Sequence, residues 1–122
     1  MLSPKQARKV QSVVWEADLA LGQQDYCLAS QKMWDATALA IKFVAEERGW
    51  PHATFEEIYA AGRKIAREQS DESSAESELN YAECHRANAQ WKIFEDYEVI
   101  EDWDLAPGFV ERILGRPARR IE

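Results

Sequence analysis

Cysteine, histidine and glycine are scarce in this chain of 122 residues, which holds two, two and five of them. Cys27 and Cys84 lie far apart with no Cys-x-x-Cys spacing, so neither a disulfide framework nor a thiol redox motif is encoded. Both fall in helical patterns, where small buried hydrophobes in a reducing compartment are expected. Two histidines and two cysteines at such separations fall short of a zinc site, and the Glu-x-x-His pairs of a di-iron bundle are missing. There is no Gly-rich phosphate loop, nucleophile elbow or EF-hand spacing. No apolar run approaches the roughly 20 residues that span a bilayer, and the N-terminal MLSPKQARKV lacks the apolar centre of a secretory signal. The expectation is a cytoplasmic protein with no metal, no cofactor and no membrane partner.

What is present is charge and helix. Hydrophobic residues make up 46% and charged residues 30%, the balance of a globular domain. The net charge of −7 repels nucleic acid and anionic membranes, so RNA or phosphate contact would need a local basic patch. The only basic cluster, RPARR at residues 116–120, is short, and it has the acidic run EDYEVIEDWD at residues 95–104 to pair with. That run is expected to be a solvated acidic connector.

Four strong helical segments follow one another without a credible strand. The first has Ser3 as N-cap and Pro4 at the first helical position, stops at Gly22, and turns Val10, Val13, Val14, Ala17 and Leu21 inward. The second runs from about Asp25 to Arg48, with Gly49 as a left-handed cap and Pro51 as a stop. Thr54 and Glu57 form a capping box for the third, whose inner face is Phe55, Ile58, Ala61, Gly62 and Ile65. REQSDESSAESE, residues 67–78, reads as a solvated linker, with Ser73 and Glu76 capping a fourth helix that continues to about Asp96. A last short helix is expected from about Pro107 to Leu114, ended by Gly115. The fold class is therefore all-α. One domain over residues 1–122 is an antiparallel up-and-down four-helix bundle, with its core at about 3–96 and a short additional C-terminal helix at about 106–115.

On a helical wheel the second segment shows an apolar arc near half its circumference, so this helix touches more than one neighbour. Tyr26, Ala29, Met33, Ala36, Ala40 and Val44 run down its centre, and Trp34, Ile41 and Phe43 flank it. Leu28 and Leu39 fall on the outer arc, as do Trp15 and Leu19 on the first helix. Such a set favours a second copy of the chain, in a symmetric homodimer, or else cover from the C-terminal segment.

ALGQQDYCLASQKMWDATALAIKFVAEERGW, residues 20–50, resembles the opening hairpin of HEPN-like proteins, the higher-eukaryote-and-prokaryote nucleotide-binding superfamily. Its small prokaryotic members carry a Gly, a short turn and an Ala-Ser-x-Lys-x-Trp-x-Ala segment. Here these correspond to Gly22, then Ala29, Ser30, Lys32, Trp34 and Ala36, continuing to Lys42 and Glu46-Glu47-Arg48-Gly49-Trp50. The fourth helix of such members shows His-x-Asn-aromatic, whereas CHRANAQW spaces His85 and Asn88 one residue further apart. The resemblance extends over about residues 7–97 and implies a four- or five-helix bundle, commonly dimeric. Some relatives are metal-independent ribonucleases and some are toxins paired with a nucleotidyltransferase-type antitoxin. The ribonucleases place an Arg four to six residues before a His. Ahead of His85 the window holds Glu78, Leu79 and Asn80; ahead of His52 it holds Ala45, Glu46 and Glu47, and Arg48 is one position too close. The motif is absent.

Candidate chemistry is thin. Tyr81, His85, Asn88 and Lys92, spaced by 4, 3 and 4, share one face of the fourth helix. They form either a strip able to grip a phosphate and a base edge, with His85 moving the proton, or an ordinary solvent-facing strip. Arg86 falls inside the stripe of Leu79, Ala82, Ala89 and Ile93, where it must meet a carboxylate such as Glu83 or bind an anion. Three functions follow: a non-enzymatic dimeric HEPN-like module binding a partner protein or a nucleotide, an RNA-directed effector or toxin using His85 and Arg86, or a tetratricopeptide-like adaptor suggested by Gly22, Asp25, Tyr26 and Ala29.

Overall fold

Helix signals written into the chain operate where local chemistry alone decides. The structure, a computed structural model, describes residues 2–118. Those residues form six α-helices and one short 3-10 turn, with no strand among them. Helix α1 (Pro4–Gly22) opens on a capping box: Gln6 N donates to Ser3 Oγ at 3.1 Å, and Ser3 N donates to Gln6 Oε1 at 2.9 Å. A three-residue turn leads to α2 (Tyr26–Arg48), capped by Asp25, which accepts from Leu28 N at 3.1 Å, and ended by Gly49 at φ 71°. Thr54 and Glu57 cap α3 (Phe55–Arg67) reciprocally, as their spacing predicts.

The remaining boundaries depend on distant contacts and differ from expectation. Helix α4 spans Glu72–Trp91, so the linker shrinks to residues 68–71 and Ser73 and Glu76 lie inside the helix rather than capping it. Arg112, in the last helix α6 (Gly108–Leu114), holds the N-cap residue Asp71 through two 2.7 Å bonds and Glu78 through bonds of 2.6 and 3.2 Å. This clasp comes from 34 or more residues away, which no local pattern can announce. At its other end α4 stops at Trp91, not near Asp96, because Lys92 adopts a left-handed φ of 50° and Asn88 Oδ1 accepts from Phe94 N at 2.7 Å. The side chain thus draws the chain back across the helix end. The expected acidic connector is instead α5 (Asp96–Glu101) and the 3-10 turn Trp103–Leu105, with Val99 and Trp103 buried. Helix α6 (Gly108–Leu114) ends at Gly115 at φ 70°.

Helix α2 is the central element, packed against α1 on one side and α4 and α3 on the other, with α6 crossing α2 and α4. Its wide apolar arc divides between two cores. Ala29, Met33, Ala36 and Ala40 join Val10, Val14 and Ala17 of α1 and Val99, Trp103 and Val110 of the C-terminal segment. Trp34, Ile41 and Ala45 join Ile58 and Ile65 of α3, Leu79 of α4 and Phe109 of α6. Each large buried side chain here contributes about 1.5–3 kcal/mol of transfer free energy. Gly62 lets α3 approach closely, since a Cβ there would sit 3.0 Å from Leu79 Cδ1 and 3.1 Å from Ile41 Cδ1. Cys84 is half-buried, but Cys27 is exposed, against the expectation that both are interior.

Candidate functional site

Three of the four side chains on the candidate strip turn inward. His85 and Asn88 are fully buried between α4 and α2, Tyr81 is half-buried, and only Lys92 is exposed. The sequence alternative of a solvent-facing strip is therefore incorrect for His85 and Asn88. They meet Ser30, a polar residue set among the alanines of the α2 arc. Asn88 Nδ2 donates to Ser30 Oγ at 2.9 Å, and Ser30 Oγ lies 2.9 Å from His85 Nδ1. Because the hydroxyl oxygen already accepts from Asn88, its own proton can point to Nδ1, which would leave the imidazole proton on Nε2.

Nε2 is buried without a hydrogen-bond partner among the described residues. Around the imidazole stand three aromatic rings at T-shaped angles: Tyr81 at 5.0 Å, Phe94 at 5.5 Å and Trp103 at 5.5 Å between centroids. Burial in this enclosure pushes the His85 pKa down to about 4, so the imidazole is neutral at physiological pH. Burial, reinforced by Asp102, Cys84 and Glu98, pushes Tyr81 up to about 12. Its hydroxyl donates to the Asp102 carbonyl at 3.4 Å. A general base must reach its substrate and titrate near the working pH. His85 does neither in this arrangement. The Ser30–His85 Nδ1, Asn88–Ser30 and Phe94–Asn88 bonds instead tie α2, α4 and the C-terminal segment together, and Nε2 is left facing the aromatic rings.

Lys92 pairs with Asp96 at 3.6 Å at the rim of a 250 Å³ cleft that Asn88 and Phe94 also border. Arg86 lies apart from the strip. Its guanidinium covers the Phe55 ring at 3.8 Å and pairs with Glu83, the predicted partner, at 3.6 Å. Ile93, assigned to the same stripe, lies beyond the helix end and is exposed. The described residues contain no group of three His, Cys, Asp or Glu side chains that could hold a metal, and no helix long and apolar enough to cross a membrane.

Of the candidate interface residues, Leu19 is 65% exposed, Leu28 42% and Trp15 39%. Leu39 is partly buried rather than exposed as expected; it packs against the core shared by α1, α2 and the C-terminal segment. Glu16 and Lys32 bridge the hairpin at 3.0 Å. Leu19 is three residues from Glu16 and Leu28 four from Lys32, so both leucines lie on that outer seam one turn nearer the connection. Ala118 reaches Trp15 as part of the wall of a 220 Å³ cleft with Arg8, Gln11 and Ser12. The described C-terminal segment leaves Trp15, Leu19 and Leu28 exposed and so does not provide the cover that the alternative to a homodimer expects.

Residues missed from the sequence include Ser30, Phe94 and Trp103. Trp103 Nε1 donates to Asp18 Oδ1 at 2.6 Å, pinning the segment to α1. Lone polar residues in apolar arcs were the available signal for Ser30; nothing local marks the others. Compared with family models, curated proteins and solved structures, the chain gives no match.

Proposed function

We propose that this chain is a non-enzymatic HEPN-like helical module, an up-and-down four-helix bundle with added C-terminal elements that pairs with a second copy in the cytoplasm and binds a partner protein or a nucleotide. The observation that carries dimerisation is the apolar seam of Leu19 and Leu28 on the outside of the α1–α2 hairpin, with Trp15 on the same face of α1. Isolated exposed leucines need no explanation, but a pair side by side between an interhelical ion bridge and the hairpin turn makes a patch of the kind a twofold interface uses. The non-enzymatic assignment draws on the commitment of His85 and Asn88 to Ser30 and Phe94, and of Arg86 to Phe55 and Glu83.

An RNA-directed effector, or a toxin partnered by a nucleotidyltransferase-type antitoxin, would need His85 brought to solvent and Arg86 released from its ring. No contact described above favours that. Light scattering on the wild type and on a Leu19→Glu, Leu28→Glu variant tests the dimer. A wild-type dimer that becomes a folded monomer supports it; a wild-type monomer overturns it.

A further inference from the structure

Eight large hydrophobic side chains are exposed among the described residues, and five of them, Trp91, Ile93, Tyr97, Ile100 and Leu105, fall within residues 91–105. Each is more than half exposed. This is not a loosely attached stretch that happens to be wet. Phe94 is held by Asn88 and stacked near His85, Val99 is buried, and Trp103 is buried and bonded to Asp18. Anchors at intervals of four or five residues fix the segment, so the side chains between them are displayed in a set orientation. On α5, Tyr97 and Ile100 stand three residues apart and share the face away from Val99.

The same stretch carries six carboxylates and no Lys or Arg between residues 95 and 104. Five of the six, at 95, 96, 101, 102 and 104, are exposed. Lys92, paired with Asp96 at 3.6 Å, is the one cation of residues 91–105, and an apolar surface whose rim is this predominantly acidic selects a partner with apolar anchors and the opposite charge. Anionic lipid and nucleic acid are repelled. A second copy is disfavoured as well, because a twofold axis on this face would set carboxylates against carboxylates in a chain of net charge −7.

We propose that the face formed by residues 91–105 docks a basic amphipathic helix of another protein, its apolar side on Tyr97, Ile100 and Leu105 and its Lys or Arg residues against the carboxylates of α5 and the turn that follows. The proposal rests on the module reading for the existence of a protein partner, but it uses a different face from the hairpin seam.

The test is an NMR titration of the ¹⁵N-labelled full chain with a capped Leu/Lys amphipathic peptide roughly 18 residues long, five helical turns. A Leu/Glu peptide of the same apolar pattern serves as control. The expected result is movement of the Tyr97, Ile100 and Leu105 amides with the basic peptide alone, and none at Leu19 or Leu28. A Tyr97→Ser, Ile100→Ser variant should bind at least about tenfold more weakly. Leu19→Glu, Leu28→Glu should bind as the wild type does, whether or not it dissociates a dimer. Failure of the basic peptide to move these amides, equal binding of the acidic peptide, or unchanged binding by the Tyr97 and Ile100 variant would each overturn the proposal. Should these amides move when the chain alone is diluted, the occupant is a second copy and the basic partner is likewise overturned.

Discussion

Two cores share α2, and they draw on the C-terminal segment to different degrees. Between α2, α3 and α4 the large buried side chains are Trp34, Ile41, Ile58, Ile65 and Leu79, with Phe109 the buried contribution of α6. Between α1, α2 and the C-terminal segment Val10, Val14 and Met33 meet Val99, Trp103, Val110 and Leu114, and alanines such as Ala17, Ala29 and Ala36 fill the positions between them, as Ala45, Ala61 and Ala82 do in the other core. The first kind of core is continuous helical stripes meeting each other. The second needs a lid from far along the chain, and it borders the buried Ser30, His85 and Asn88 cluster. A polar cluster in such a place fixes one register of α4 on α2.

Removing the lid's main anchor should have the largest effect. Trp103→Ala is expected to cost about 4 kcal/mol, read from urea unfolding. Amide exchange should show residues 94–118 losing protection while α3 and α4 keep theirs. Uniform loss of protection would mean that the two cores are one cooperative unit. In the other core Leu79→Ala should cost about 3 kcal/mol without releasing the C-terminal segment, measured the same way. Next comes Asn88→Ala, which deprives Phe94 N and Ser30 of a partner and should cost about 2 kcal/mol in the same assay.

The pH dependence sharpens the same contrast. With its folded pKa near 4, below the ordinary 6.5, His85 takes up a proton more readily in the unfolded chain. Stability is therefore lost as pH falls from 6.5 towards 4, by about 1.5 kcal/mol between pH 6.5 and pH 5. His85→Gln should remove most of that slope in urea melts at the two pH values. The smallest effect is local: Thr54→Ala removes one half of the α3 capping box and should cost about 1 kcal/mol, visible as a shift in the urea midpoint.

How much of this was legible follows the same division. Ser3, Gly49, Thr54 and Gly115 state helix ends in their own side chains or in the lack of one, and each operates as read. The start of α4 was not legible, because Asp71 is fixed by Arg112 from α6. Nor was its end, since Asn88 closes it through a hydrogen bond six residues along. Acidic residues disguised α5: Val99 and Trp103 bury themselves singly, too sparsely for a periodic stripe. The candidate strip was found on the right helix and given the wrong side. Spacing shows which residues share a face, but only the crossing of α4 on α2 decides whether that face meets water.

One measurement tests the central claim, that His85 is a packing group rather than a chemical one. The chain has only two histidines, so an NMR titration of the imidazole carbon-bound protons, assigned with His85→Gln, resolves them. The account predicts that His85 stays neutral down to about pH 5 and begins to protonate only near pH 4, with the Ser30 contact intact. Titration of His85 near 6.5 in the folded chain would show an accessible imidazole, contradict the buried network, and return Tyr81, His85 and Lys92 to consideration as an active strip.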